Sequence, residues 1–331
     1  MSLAEGNSSG AAPARRKSAV LTVLRAILVL AVLALLGVSI GALLSTLVPS
    51  FVLLTPFAPQ VTVLALVAVV VGLLLGLRRW VLVPAALAFW QGALLLPFLW
   101  PAAATPVSGQ PLHVISLNLW LANPVPQQTI DYLLASDADV IATVETTPEW
   151  RQRLKVLNAK YPYHIDCQTT PFRCGVALFS KRPFQSSFIG PVESGSLPVV
   201  GWVTIDWEGK PLTLAALQIL NPRIGLQRGF QAVQGEAMTR YFANFGGDVV
   251  LMGDFNSVPW GPLQRELRAG TAFDNRGRLA FTWPSWAPAI FRLPIDQIFV
   301  EGALAVRNYR AGPPAGSDHL PVLADIYRTS P

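Results

Sequence analysis

Three long apolar runs near the N-terminus constrain the fold of this chain more than any other feature. The runs cover residues 26–48, 57–77 and 81–100. Between residues 26 and 102, only Arg78 and Arg79 are charged. Each run is about as long as a helix must be to cross a bilayer. The alternatives are a buried helical hairpin in a soluble protein and a signal peptide, which has one shorter apolar core. Three successive runs disfavour both, so the sequence predicts three transmembrane helices.

Positive charges around these runs predict how the chain is oriented, because cytoplasmic loops are enriched in Lys and Arg. Residues 1–25 carry Arg15, Arg16, Lys17 and Arg25. The first connecting loop has no charge, whereas Arg78 and Arg79 lie in the second. We therefore expect residues 1–25 to be cytoplasmic. The protein would be a multi-pass cell-membrane protein whose C-terminal domain lies outside the cytoplasm.

The remaining residues have the composition of one globular domain. The chain is 13% charged, where about 25% is usual, and the deficit lies in the apolar runs. The first 102 residues carry six Lys and Arg against one Glu, so the remainder has 19 against 18 and contributes little to the net charge of +6. A duplex-binding protein would be expected to carry a clustered basic surface. Nucleic acid is therefore a less expected partner than the bilayer.

The boundaries of this domain follow from local composition. Residues 103–111 contain two prolines among small residues and predict a linker, which leaves residues 112–331 as the C-terminal domain. Residues 1 to about 14 are small and polar, and are expected to be disordered. Cys167 and Cys174 lie in the domain with six residues between them. They could form a disulfide outside the cytoplasm or remain two thiols.

Strand and helix patterns alternate through the C-terminal domain. Apolar runs predict strands at residues 112–117, 139–144, 175–179, 199–206, 212–219, 249–252, 294–300 and 320–326. Helical patterns occur at residues 126–134, 149–157 and 228–245. Some strands follow one another directly, and others are separated by a helix. This mixture favours an α/β fold with two sheets and outer helices over a single doubly wound sheet.

Polar side chains that could carry out chemistry lie at the ends of these strands. Asp254 and Asn256 follow the strand at 249–252, and two residues apart on an extended segment they point the same way. Asp and Asn after a glycine are also common turn formers. Other polar residues in or beside apolar strands make a simple turn a weaker explanation. They are Asn118, Glu145, Asp296, Asp318 and His319. Because a carboxylate in an apolar strand is costly unless it is paired or metal-bound, together they predict one site.

The same residues carry a resemblance to a known family. The stretches SLNLW, DVIATVE, GDFNSVP, IDQIF and SDHLPV occur in the order seen in the endonuclease/exonuclease/phosphatase (DNase I-like) superfamily of divalent-metal phosphoesterases. The resemblance covers about residues 111–327. It implies a four-layer α/β/β/α sandwich, which follows the predicted N-terminal transmembrane helices. The topology also resembles membrane-anchored bacterial proteins associated with teicoplanin resistance, thought to act on polyprenyl diphosphates.

The resemblance implies a metal site and a catalytic group. Glu145 matches the principal metal-ligand glutamate, and Asn118 and Asp318 match further residues of the metal site. The ion would be Mg²⁺, with Mn²⁺ as the alternative, since hard cations prefer oxygen ligands. The catalytic residues would be Asp254 for the attacking water, Asn256 for the phosphate, His319 as the catalytic histidine and Asp296 to orient it.

One position departs from the family pattern. Gln218 stands where many members have a histidine, and glutamine can donate a hydrogen bond but cannot move protons at neutral pH. Either that histidine is dispensable here or activity is reduced. Beyond it, Arg223 and Arg228 could contact an anionic group. The expected substrate contacts are therefore Asn118, Asn256, Gln218, Arg223 and Arg228.

These features predict a membrane-anchored hydrolase of phosphoesters or diphosphates that works outside the cytoplasm on a lipid-linked phosphate. Tethering raises the effective concentration of such substrates at the active site. One alternative is an extracytoplasmic Mg²⁺-dependent nuclease or other phosphodiesterase. Another is a non-catalytic binding module, with Gln218 as a first sign of lost activity.

Overall fold

The computed structural model describes residues 11–100, 105–167, 175–193, 198–226, 229–275 and 277–330. The helices in chain order are α1 (Ala11–Leu43), α2 (Ala58–Leu74), α3 (Leu82–Leu99), α4 (Pro126–Ala135), α5 (Pro148–Leu154), α6 (Phe230–Phe242) and α7 (Pro262–Gly270). The strands are β1 (Val107–Asn118), β2 (Val140–Val144), β3 (Tyr163–Asp166), β4 (Val176–Ser180), β5 (Phe184–Pro191), β6 (Val199–Trp207), β7 (Lys210–Gln218), β8 (Val249–Asp254), β9 (Asp296–Glu301), β10 (Leu304–Ala311) and β11 (Val322–Thr329).

The N-terminal region forms three helices that are long and apolar enough to cross a membrane. The candidate spans are Ala19–Thr46, Pro49–Leu74 and Leu82–Leu99. Large apolar side chains on them face outward, and Leu74 and Phe89 are each 80% exposed. This exposure fits a lipid environment, because a soluble domain would bury such residues. The second span begins with a 3₁₀ helix at Pro49–Phe57, where the sequence predicted an uncharged loop.

The C-terminal domain contains two mixed sheets that pack face to face. One sheet has the order β10-β11-β1-β2-β4-β3 and the other β5-β6-β7-β8-β9. A core of Val, Leu and Ile residues from both inner faces fills the space between them. Helices α6 and α7 cover the outer face of the second sheet, and α4 and α5 cover that of the first. The predicted α/β/β/α sandwich is confirmed.

Several boundaries differ from those predicted. Strand β1 begins at Val107, inside the predicted linker, because Val107 and Ser108 pair with the end of β11 across an irregularity in the register. Helix α1 begins at Ala11, within the segment expected to be disordered. The remainder of that segment, the linker residues 103 and 104, and Cys174 lie outside the described residues. Cys167 is disulfide-bonded.

The apolar N-terminal helices pack directly on the C-terminal domain. Residues Ala58 of α2, and Leu95 and Phe98 of α3, form one apolar cluster with Trp260 and Ile295. Backbone and side-chain hydrogen bonds reinforce this contact: Trp260 Nε1 donates to Thr55 O at 2.8 Å, and Gly277 N donates to Pro97 O at 2.9 Å. The domain is therefore fixed against one end of the helical bundle.

Candidate active site

The register of the second sheet brings three polar side chains to one level. Asp254 at the end of β8 is the Cα partner of Gln218 on β7 and of Asp296 on β9. In the facing sheet, Asn118 ends β1 next to Val144, the residue before Glu145. Because both sheets end at the same edge, residues far apart in sequence converge there.

His319 is held between carboxylates. Its Nδ1 donates to Asp296 Oδ2 at 2.8 Å, and the same oxygen accepts a hydrogen bond from Thr282 Oγ1 at 2.5 Å. The backbone of His319 is fixed as well, since its N–H donates to Ser317 Oγ at 3.0 Å. Its Nε2 lies 4.0 Å from Asp254 Oδ2. Asp296 thus orients the imidazole, whose other nitrogen faces Asp254.

Asp254 is held by amide groups. Its Oδ1 accepts the backbone N–H of Asn256 at 2.8 Å, and its Oδ2 accepts the side-chain amides of Asn256 and Asn118, both at 3.1 Å. Gln231 Nε2 in turn donates to Asn256 O at 2.9 Å. These contacts fix one orientation of the carboxylate, which is 1% exposed.

Glu145 is held by three donors at the end of β2. Asn118 Nδ2 and Gln218 Nε2 donate to Oε1 at 3.0 and 2.9 Å, and Leu121 N donates to Oε2 at 2.6 Å. Glu145 itself has φ 59°, in the left-handed region. Such a conformation costs of order 1–3 kcal/mol for a non-glycine residue and is typical of functional sites. A Cβ at Gly175 would lie 3.3 Å from the Glu145 backbone. The absence of a side chain at Gly175 therefore leaves room for the Glu145 backbone.

Burial and neighbouring charges shift the pKa values of this cluster. Burial, together with the Asp296 carboxylate, raises the pKa of Asp254 to about 7. Burial acts to lower the pKa of His319, but the carboxylates of Asp296 and Asp254 outweigh it and raise that pKa to about 10. Burial also raises the pKa of Asp318. A carboxyl group that titrates near neutrality beside an imidazolium is suited to acid–base chemistry.

The oxygen atoms in the site fit a hard divalent cation. Asp318 Oδ2 accepts a hydrogen bond from Trp283 Nε1 at 3.2 Å, whereas Oδ1 is buried without a hydrogen-bond partner among the described residues. An orphaned carboxylate oxygen is costly unless a ligand satisfies it. Asp254, Asp296 and His319 form a second candidate, with ligand atoms within 4.8 Å of one another. We favour the side of Asp318, because its Oδ1 accepts no hydrogen bond from a described residue whereas Asp296 Oδ2 accepts two. On that side Glu145 Oε2 accepts, among the described donors, only the N–H of Leu121.

These residues line a cavity of about 1450 Å³. Seven of the predicted site residues contribute to its surface: Glu145, Gln218, Arg223, Asp254, Asn256, Asp318 and His319. Asn118 and Asp296, both 1% exposed, lie behind this surface and contact the lining residues. Direct contact of Asn118 with metal or phosphate therefore stays a prediction. Arg223 lines the cavity, and Arg228 lies outside the described residues.

Three contacts in the site were not predicted from the sequence. Thr282 donates a hydrogen bond to Asp296, and Trp283 donates one to Asp318. Both residues belong to a segment in which we predicted no helix or strand. Ser317 Oγ donates to Asn118 O at 2.7 Å and links β1 to the SDH stretch. Ser317 lies within a stretch that we singled out, so its position next to Asp318 was the available signal. No motif in the sequence indicated that Thr282 or Trp283 would contact the site.

Comparison with known proteins shows the family of the chain and the structures that its fold resembles. The Endonuclease/Exonuclease/phosphatase family matches residues 115–319, more than half of the chain, and the protein belongs to this family. No curated protein matches the sequence. The fold is similar to an endonuclease/exonuclease/phosphatase from Bacteroides vulgatus, with TM-score 0.55, 17% identity and coverage of 66% of this chain and 100% of the other.

Two further solved structures share the fold. Sphingomyelinase C from Streptomyces griseocarneus matches with TM-score 0.53 and 16% identity, over 66% of this chain and 99% of the other. A double mutant of beta toxin from Staphylococcus aureus with bound magnesium ions matches with TM-score 0.52 and 15% identity, over 67% of this chain and 100% of the other. At these identities the similarity shows the fold.

Proposed function

We propose that this protein is a membrane-anchored, divalent-metal-dependent phosphoester or diphosphate hydrolase that acts outside the cytoplasm on a lipid-linked phosphate such as a polyprenyl diphosphate. The observation that carries the proposal is the convergence of Glu145, Asp254, Asp318 and His319 on one cavity. That cavity lies where the domain packs against the membrane helices. A site in this position is suited to a phosphate group that projects from a bilayer.

Each side chain has a role that follows from its contacts. Asp254, with a pKa near 7, accepts the proton of the attacking water. His319, charged at neutral pH and held by Asp296, donates from Nε2 to the phosphoryl or leaving-group oxygen. Mg²⁺, held by Glu145 and Asp318, would offset the negative charge that develops on the phosphoryl oxygens.

The position of the positive charges supports an extracytoplasmic active site. Arg25 donates through Nε and Nη2 to Leu75 O, so it lies at the end of the bundle that carries Arg78 and Arg79. The C-terminal domain contacts the other end, through Thr55 and Pro97. If the basic end is cytoplasmic, the active site lies outside.

The test is hydrolysis by purified full-length protein in detergent with Mg²⁺. We expect phosphate release from a polyprenyl diphosphate, loss of release with EDTA, and loss of release in Asp254→Asn. Plasmid DNA under the same conditions tests the nuclease alternative. Cleavage of DNA without phosphate release from the lipid would contradict the proposed substrate. Phosphate release that persists unchanged in Asp254→Asn would contradict the proposed catalytic role.

A further inference from the structure

The catalytic cavity is lined partly by the membrane region. Val52, Leu53 and Leu54 from the Pro49–Phe57 segment contribute to it, and Gln60 adds an amide from the first turns of α2. The volume of about 1450 Å³ is larger than the roughly 300–1,000 Å³ of typical small-molecule sites. A phosphate or diphosphate at the catalytic cluster would therefore leave most of this space to another part of the substrate.

The part of the cavity lining that the C-terminal domain contributes also contains apolar side chains. It includes Ile219, Leu293 and Ile295, with Ile224 and Phe291 at 53% and 63% exposure. Large apolar side chains exposed around one cavity are unfavourable in water and mark a binding surface. The cavity therefore has a polar end at the catalytic cluster and apolar sides that extend toward the membrane helices.

Specific packing holds the Pro49–Phe57 segment in place. The carbonyl of Thr55 accepts the hydrogen bond from Trp260, and Leu54 packs so closely on α1 that a Cβ at Gly41 would lie 2.4 Å from its Cδ1. A Cβ at Gly229 would lie 3.3 Å from Pro49. Because the segment is fixed on both sides, its contribution to the cavity is preformed.

We infer that the Pro49–Phe57 segment binds the hydrocarbon chain of the substrate, and that it selects phosphates carried on a long polyprenyl-type chain over short-chain phosphates. This inference rests on the proposed function and adds the part of the molecule that recognises the lipid. The segment begins the candidate span Pro49–Leu74, so a chain lying against it continues into the bilayer. Arg223 is the one Lys or Arg among the described cavity residues, which suits a ligand charged at one end.

The apolar part of the cavity lining contains a polar atom that a hydrocarbon chain does not satisfy. Gln60 Oε1 is buried and has no hydrogen-bond partner in the part of the chain that the structure describes. It is an acceptor in the cavity lining at the start of α2, where the membrane region meets the domain. A chain with few polar groups covers the apolar side chains around it. A nucleotide would bury most polar atoms of its base and sugar against those side chains, beyond the few donors that Gln60 Oε1 could accept.

The experiment compares two substrates with the same diphosphate group, a long polyprenyl diphosphate and a water-soluble diphosphate with one isoprene unit. Val52→Trp fills the cavity, and Leu53→Ser makes its surface polar. For each variant we expect the ratio of kcat/KM for the long substrate to that for the short one to fall about tenfold, because several CH₂ groups lose their apolar contacts.

Leu47→Trp is the matched control. Leu47 belongs to the same connection between α1 and α2, is 76% exposed, and does not line the cavity. This variant should keep the wild-type ratio. If Val52→Trp and Leu53→Ser keep it as well, or if both substrates lose activity equally in them, the segment does not select the chain and the inference is overturned.

A binding measurement separates this inference from the proposed function. A long polyprenyl monophosphate with a diazirine on its chain is photolysed with full-length wild-type protein, and the labelled peptides are identified by mass spectrometry. We expect labelling within residues 47–60, and competition by the unlabelled lipid. Such labelling without any hydrolysis would overturn the proposed activity alone. Labelling confined to other peptides would overturn the inference, even if hydrolysis is observed.

Discussion

Asp254 has hydrogen bonds that leave room for a water molecule. An ionised carboxylate offers about four acceptor positions, and three are used by the backbone N–H of Asn256 and the side-chain amides of Asn256 and Asn118. His319 Nε2 at 4.0 Å is too far for a direct hydrogen bond. A water or a substrate oxygen between these two groups would contact both, as proton transfer requires.

The role of His319 predicts the effect of one substitution. His319→Gln can still donate to Asp296 but cannot transfer protons at neutral pH, so kcat/KM should fall about 10²- to 10⁴-fold. The measurement is phosphate release by full-length protein with saturating Mg²⁺. His113→Gln is the control, because His113 pairs with Asp325 at the surface, away from the cavity. Equal losses in both variants would show that the effect is structural.

Gln218 supports Glu145, the proposed metal ligand, although it stands where many family members have a histidine. Gln218→Ala removes a donor from Glu145 Oε1, and the loss of such supporting contacts costs about 10- to 100-fold in metal affinity or activity. We expect a higher Mg²⁺ concentration for half-maximal activity, measured by Mg²⁺ titration. Gln127→Ala, at an exposed glutamine on α4, is the control. An unchanged Mg²⁺ dependence in Gln218→Ala would contradict this role.

The identities of the clustered residues could be predicted from the sequence, but their contacts could not. Asp254 and His319 lie in recognisable stretches at strand ends, so they could be proposed together. The amide of Asn118 bridges Glu145 and Asp254 because β1 and β8 belong to facing sheets. The packing of two sheets is a long-range property that no local pattern encodes.

At the level of elements, strand β8 positions the site, and Gly253 allows β8 to approach β7. Gly253 has φ 145°, and a Cβ there would lie 1.9 Å from Leu217 O. The next residue, Asp254, therefore reaches its position only because the preceding residue has no side chain. Both the backbone conformation and the close approach require glycine.

Gly253→Ala should lower the free energy of unfolding by about 3 kcal/mol, since backbone strain and overpacking each cost of order 1–3 kcal/mol. The measurement is thermal unfolding of full-length protein in detergent. Gly246→Ala is the matched control, because a Cβ at Gly246 would meet no atom within 4 Å. A melting temperature for Gly253→Ala equal to that of Gly246→Ala would contradict the structural assignment.

The strands that the sequence failed to predict share one property, their position at sheet edges. Strands β3, β5 and β10 are each the outermost strand of a sheet. An edge strand buries less of its surface, so polar residues replace the apolar pattern; β5 reads FQSSFIGP and β10 reads LAVRNYRA. The central strands β2 and β8 are buried throughout, and their apolar runs were recognisable.

At the level of the whole molecule, the apolar N-terminal helices and the C-terminal domain form one packed unit. The aromatic rings of Phe98 and Trp260 lie 6.2 Å apart, and the Arg268 guanidinium lies over the Phe98 ring at 5.1 Å. These contacts place the cavity beside the apolar N-terminal helices. Under the proposed function, the helices would therefore contribute to the substrate site as well as anchor the domain.

The orientation of the chain gives a prediction at this scale. Epitope tags at the two termini of the full-length protein should differ in their accessibility to antibody in intact cells stripped of their wall. The C-terminal tag should bind an antibody that cannot cross the membrane, and the N-terminal tag should bind it only after permeabilisation. Binding to the N-terminal tag alone before permeabilisation would place the active site in the cytoplasm and contradict the proposed location.

The central claim is that side chains from separate parts of the chain hold one divalent cation. The most direct measurement is anomalous diffraction from crystals of full-length protein soaked in Mn²⁺. The account predicts one strong peak in the cavity, in contact with Glu145 and Asp318, that is lost in Glu145→Gln. A well-ordered cavity without a peak, or a peak bound elsewhere on the protein alone, would contradict it.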